Sequence, residues 1–108
     1  MAIRSKHISQ DLSIAALDHN FSFIHACKLL TVYVHITAPI QEEVTITFKS
    51  EKGASYDTLI EQRILKDKQD YIYAAVGTLA VNENEAINVS ITNANGTGVA
   101  YVTVKADW

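Results

Sequence analysis

His25 and Cys27 stand two positions apart, a spacing that on extended chain projects both side chains to one side and offers two of a zinc ion's four ligands. His7, His19 and His35 are the remaining histidines, and none forms a short Cys/His spacing. The expectation is therefore no metal centre, with Cys27 a small buried hydrophobe and His35 on the polar face of its strand. Carboxylate pairs for glycosidic chemistry can be drawn from Glu42, Glu43, Asp57 and Glu61, yet a small strand-and-turn domain leaves little room for a deep cleft. No Gly-x-Ser-x-Gly nucleophile elbow occurs. The segment "SEKGASYDT" has one glycine, Gly53, with no Gly-Lys-Ser/Thr after it and a strand-like run beyond, so it reads as a turn rather than a phosphate loop. Gly96-Thr97-Gly98 fails the same test. Oxygen ligands cluster at Asn82 to Glu85, where a calcium loop and a polar turn look alike. Tyr33, Tyr71, Tyr73, Tyr101 and Trp108 are the candidates for a sugar-stacking platform or a protein interface, against the plainer role of filling half-buried pleats. No residue is assigned to catalysis, a cofactor or a metal.

The elements that would carry these residues are strands. "KLLTVYVHIT" alternates, with Leu30, Val32, Val34 and Ile36 on one side and Thr31, Tyr33, His35 and Thr37 on the other. Pro39 in "APIQEE" predicts an end to that strand, and "VTITFK" predicts a second one with Val44, Ile46 and Phe48 inward, the two joined as a hairpin. "TLIEQRIL" does not alternate cleanly, which fits a β-bulge or a short helix, the bulge being favoured. "KDKQD" reads as a charged loop, "YIYAAV" as a strand broken at Gly77, "INVSIT" as a strand with Ile87, Val89 and Ile91 inward, and "NANGTG" as a tight turn into "VAYVTV". "NFSFIHA" places Phe21 and Phe23 on one face. Turn signals every 10 to 14 residues predict an all-β antiparallel β-sandwich, jelly-roll or Greek-key like. Residues 1–20 fit helical and extended spacing equally and are expected as an N-terminal arm or docking segment, with residues 21–108 as the sandwich.

Composition narrows the function classes. With 108 residues, 48% hydrophobic and 19% charged, the chain forms one globular domain without needing a staple. A net charge of −3 opposes nucleic-acid binding. The opening "MAIRSKHISQDLS" lacks the apolar stretch of a secretory signal, and no run approaches a membrane span. One cysteine allows no internal disulfide. The sequons at Asn88 and Asn95 are read as chance.

The order of signals in "LLTVYVHITAPIQEEVTITFKSEKGASYDTLI" and "AINVSITNANGTGVAYVTV" resembles a family of small structural proteins of tailed bacteriophages, the capsid decoration or cement proteins. The similarity lies in the strand from Leu30 to Ile36, the Val44 to Ile46 strand, the Gly53 to Asp57 connection, and the Ile91 to Gly96 strand and turn. It covers about two-thirds of the chain. "KDKQDYIYAAVGTLAVNENEA" departs from the pattern, and the segment before Asn20 has no counterpart. The resemblance implies a protein made in the host cytoplasm that binds the outer face of the virion's capsid, with the major capsid protein as partner, as a homo-oligomer, dimer or trimer. Ile8, Leu12, Ile14, Pro39, Ile40, Tyr56 and Trp108 are the candidate protein contacts. The rival reading is a carbohydrate-binding or adhesin-type β-sandwich of the tail or fibre.

Overall fold

The computed structural model describes residues 2–75 and 79–108, apart from the side chains of Pro39, Ile40 and Lys68. Among the described residues the strands are β1 (Ile3–Asp11), β2 (Leu17–Ser22), β3 (Cys27–Lys49), β4 (Thr58–Ala74), β5 (Ala80–Val81), β6 (Ala86–Ile91) and β7 (Val99–Asp107), with a 3-10 turn at Ala54–Tyr56. All pairings are antiparallel.

The two halves of β3 lie in different sheets. Its first half pairs with β7 from Lys28↔Asp107 to Ile36↔Ala100, and β7 pairs with β1 along Ile3–Asp11. Its second half pairs with β6 from Val44↔Ile91 to Lys49↔Ala86, and β6 pairs with β2. On the opposite side of β3, β4 runs back along both halves, from Phe48↔Thr58 to Thr31↔Ala74. The pairs nest within one another: β3 with β4 innermost, β2 with β6 outside them, and β1 with β7 outermost. That is one long double strand rolled up into two packed sheets, a jelly roll. The expected sandwich is present.

Two local expectations give way to this topology. Pro39 does not end a strand: β3, 23 residues long in all, runs on through it to Lys49, because the ladder to β4 shifts register between His35 and Ile40 and needs no donor from a proline there. "VYVHIT" and "VTITFK" are therefore halves of one strand and not a hairpin. "KDKQD" is not a loop either, since Lys66 to Asp70 lie inside β4 where it crosses between the sheets, with Asp67 at φ 56°. The break expected at Gly77 lies outside the described residues.

The core follows the pleat. Val32, Val34, Ile36, Val102 and Val104 come from the first sheet, and Leu17, Phe21, Val44, Ile46, Ile87, Val89 and Ile91 from the second, all at most 2% exposed. Leu29, not Leu30, continues the inward row that Cys27 begins in β3. The ladder to β7 skips from Leu29 to Thr31, and this bulge at Leu30 lets Leu29 and Val32 both point inward. The irregular "TLIEQRIL" does contain the expected bulge, since Ile46 faces Glu61 and Thr47 faces Leu59, leaving Ile60 extra.

Residues 3–11 of the expected arm dock on their own sheet as β1. The boundary drawn at residue 20 falls inside β2, whose Leu17 and Phe21 are both core residues.

Candidate functional site: the outer face of the first sheet

Alternation that sends valines inward sends a second set of residues outward, and the registers align them in two rows. Ser9, Tyr101, His35 and Asp70 form one row across β1, β7, β3 and β4, and His7, Thr103, Tyr33 and Ile72 form the next. Directly opposed residues in antiparallel strands share a face with their Cβ atoms about 5 Å apart, so these eight make a continuous patch. Tyr101 is 48% and Ile72 is 61% exposed.

The polar members hold one another in place. His35 Nδ1 lies 2.6 Å from Asp70 Oδ1. A carboxylate only accepts, so Nδ1–H donates, which leaves Nε2 without a part in this contact. The imidazole stacks on Tyr101 at 6.4 Å between ring centroids and 28° between planes. His7 Nδ1 is 3.0 Å from Thr103 Oγ1, and the Lys105 ammonium sits 5.2 Å from the Tyr33 ring centroid. Fixed aromatic planes beside oriented polar groups suit adhesion to a protein or sugar surface, because little side-chain freedom is lost on contact.

The remaining tyrosines do something else. Tyr71 and Tyr73 pair with Val34 and Val32, and so face inward, half-buried against the core. Tyr71 O–H donates to Glu61 Oε2 at 3.2 Å, and the Arg63 guanidinium lies 5.9 Å from the Tyr71 ring centroid and 3.7 Å from Glu61. This trio closes the sandwich along β4. Burial first and the Glu61 carboxylate second push the Tyr71 phenol up, against the opposing pull of Arg63. Trp108 packs edge-on to Phe23 at 5.5 Å, under the Arg4 guanidinium. The five aromatics are thus three separate structures and not one platform.

The candidate contacts scatter likewise. Leu12 is fully buried and its assignment as a contact is corrected: its N–H donates to Gly98 O, and its side chain belongs to the core. Ile8 is half-buried beside His7, Ser9 and Tyr101. Ile14 and Tyr56 are 77% and 65% exposed, the first just beyond the Asp11 end of β1, the second in the 3-10 turn of the β3–β4 connection. Trp108 lies past the other end of β7, which pairs Asp107 with Ile3. Pro39 and Ile40 have side chains outside the described set.

No group of three or more metal-ligating residues occurs among the described residues. Cys27 is buried, which pushes its thiol up, while His25 beside it is exposed. In the Asn82–Glu85 turn the Glu85 carboxylate is buried and accepts from the N–H groups of Asn82 and Glu51, so it caps a turn. Asp57 accepts from Ser50 N–H and pairs with Lys49 at 3.2 Å, which fixes the "SEKGASYD" connection, with Gly53 at φ 110°. Glu42, considered for catalysis, is 2% exposed with its oxygens saturated by Thr92, Ala94 and Asn95. A groove of about 490 Å³ runs between β1 and β2, lined by Lys6, His7, His19 and Asn20 among others. Lys6 Nζ already donates to Ser22 O there. No helix of the described residues is long and apolar enough to cross a membrane.

No family model matches the sequence, and no curated protein matches it either. Among solved structures, RmlC from Streptococcus suis in complex with dTDP-D-xylose aligns at 11% identity over 98% of this chain and 44% of that chain, with a TM-score of 0.42. The chain spans under half the length of that protein, and a likeness at this level says nothing about activity.

Proposed function

We propose that this protein is a non-catalytic adhesion module that attaches through the outer face of its first sheet. Its setting is the one the sequence resemblance implies: the exterior of a tailed-phage capsid, where it would bridge copies of the major capsid protein. One observation carries the adhesion reading. Tyr101 and Ile72 stand exposed on a single face of a sheet whose reverse is packed into an aliphatic core, giving a stiff apolar and aromatic surface with oriented polar neighbours. A protein that binds only the assembled shell stabilises it by mass action.

The test compares the heat resistance of particles with and without the protein while counting copies per shell. Wild-type protein added back should restore resistance, and a Tyr101→Ala/Ile72→Ser variant should not. Failure of the wild-type protein to bind shells, or equal binding by the variant, removes the reading.

A carbohydrate-binding reading rests on a separate feature, the His35 ring stacked on Tyr101 and anchored by Asp70, which sets a hydrogen-bonding nitrogen beside an aromatic plane. Saturable glycan-array binding lost in Tyr101→Ala would favour it over the capsid reading.

A further inference from the structure

Among the described residues β4 pairs only with β3, so no strand covers its far edge along Thr58–Ala74, where the Gln62 N–H donates to the carboxylate of its neighbour Glu61 at 3.2 Å. Such an edge is a template for another strand. Around Gln62 the residues read Leu59-Ile60-Glu61-Gln62-Arg63-Ile64, an order with opposite charges on either side of a central glutamine. We propose that this edge pairs antiparallel with the same edge of a second copy of this chain, on a two-fold axis through Gln62.

Charge and pleat select that register together. Glu61 and Arg63 pair with Ile46 and Val44, so both face the inner side, and Arg63 is 59% exposed there. With Gln62 opposite Gln62 of the second copy, Glu61 meets that copy's Arg63 on the same side, and Arg63 meets its Glu61. The four charges alternate around a square, with directly opposed Cβ atoms about 5 Å apart. Sliding by two residues either way sets Glu61 against Glu61 or Arg63 against Arg63, and sliding by one opposes inward residues to outward ones. The bulge at Ile60 completes the match. Passing over it in each strand brings Leu59 opposite Ile64 of the other copy, both outward-facing and 55% and 61% exposed. These two large apolar side chains cover each other across the axis, as an isologous interface requires. The surface is separate from the outer face of the first sheet, so the pairing stands or falls independently of the proposed function.

Sedimentation of the full chain over a concentration series should show a monomer–dimer equilibrium. Glu61→Arg and Arg63→Glu should each weaken it by about tenfold or more, since each turns every opposed pair into a like-charge pair. An equimolar mixture of the two variants should associate again as a heterodimer, and the double variant Glu61→Arg/Arg63→Glu should recover the wild-type constant. Gln62→Cys should give a disulfide-linked dimer under mild oxidation, and Thr45→Cys, one strand inward, should not. A chain that stays monomeric, or a dimer indifferent to charge reversal with no cross-link at Gln62, overturns the proposal.

Discussion

Glu42 and Asn95 clasp each other across 53 residues of chain. The Asn95 N–H donates to Glu42 Oε2 at 2.7 Å, and Asn95 Oδ1 accepts from the neighbouring Gln41 N–H at 3.0 Å. Thr92 Oγ1 and the Ala94 N–H donate to the other Glu42 oxygen at 2.7 and 2.9 Å. This ties the bend of β3, where the strand leaves one sheet for the other, to the connection that carries β6 across to β7.

Glu42→Ala should therefore destabilise the fold by about 2–4 kcal/mol, because it strands two backbone N–H groups and a hydroxyl that the carboxylate now satisfies. Chemical denaturation followed by circular dichroism measures it. A loss below about 0.5 kcal/mol would mean that water replaces the carboxylate at no cost.

Gly98 sits at φ +86°, and a Cβ built there meets Ile36 Cγ2 at 3.3 Å and Ala38 Cβ at 3.4 Å. Its carbonyl accepts from Leu12 N–H, so the backbone has little freedom to adjust. Gly98→Ala should lower stability by about 1–2 kcal/mol through the left-handed conformation and the crowding together. The thermal midpoint reports it.

Stability should decline in alkali partly through Tyr71. Its phenol is raised above the ordinary value of 10.0, so the folded chain holds that proton more tightly than the unfolded chain does. The resulting stability is complete below about pH 10 and is lost as pH rises through the folded value. Tyr71→Phe should flatten this part of the curve. An unchanged alkaline slope would exclude Tyr71 as its source.

Cys27 should resist alkylation in the native protein at neutral pH, being buried with its thiol pushed up by that burial, and thiolate is the reactive form. Iodoacetamide with mass readout should label it only in denaturant. Rapid labelling of the folded chain would show that the start of β3 opens readily.

The exposed pair on the first sheet should behave in the opposite way. Tyr101→Ala and Ile72→Ser should leave stability within about 1 kcal/mol, since Ile72 is 61% and Tyr101 48% exposed, while weakening adhesion to the proposed partner. Loss of folding in either variant would assign these residues to the scaffold.

Strand identity and inward faces were legible wherever alternation was clean. Ile87, Val89 and Ile91 of β6, Val32 to Ile36 of β3, and Phe21 with Phe23 all point where their period places them. Leu29 and Leu30 exchanged roles because two adjacent leucines give the same periodic signal until a bulge chooses between them. Glu42 offered no sign of its clasp, since its donors lie 50 and more residues away. The helix-or-strand ambiguity before residue 20 was resolved by pairing with β7 and β6, contacts that local spacing cannot encode. Nor did "KDKQD" show that it continues a strand, because charged residues at a crossing between sheets look like any polar loop.

By itself the sequence determined an all-β sandwich with an aliphatic interior and no catalytic motif, because a two-residue period and turn chemistry are local properties of the chain. Tertiary structure alone decided which tyrosines look outward, that Leu12 is core, and that Glu42 is a clasp rather than an acid. The reason is physical. Burial and hydrogen-bond satisfaction depend on what arrives from the other end of the chain, and in a rolled-up double strand the outermost partners, Ile3 and Asp107, stand at opposite ends of it.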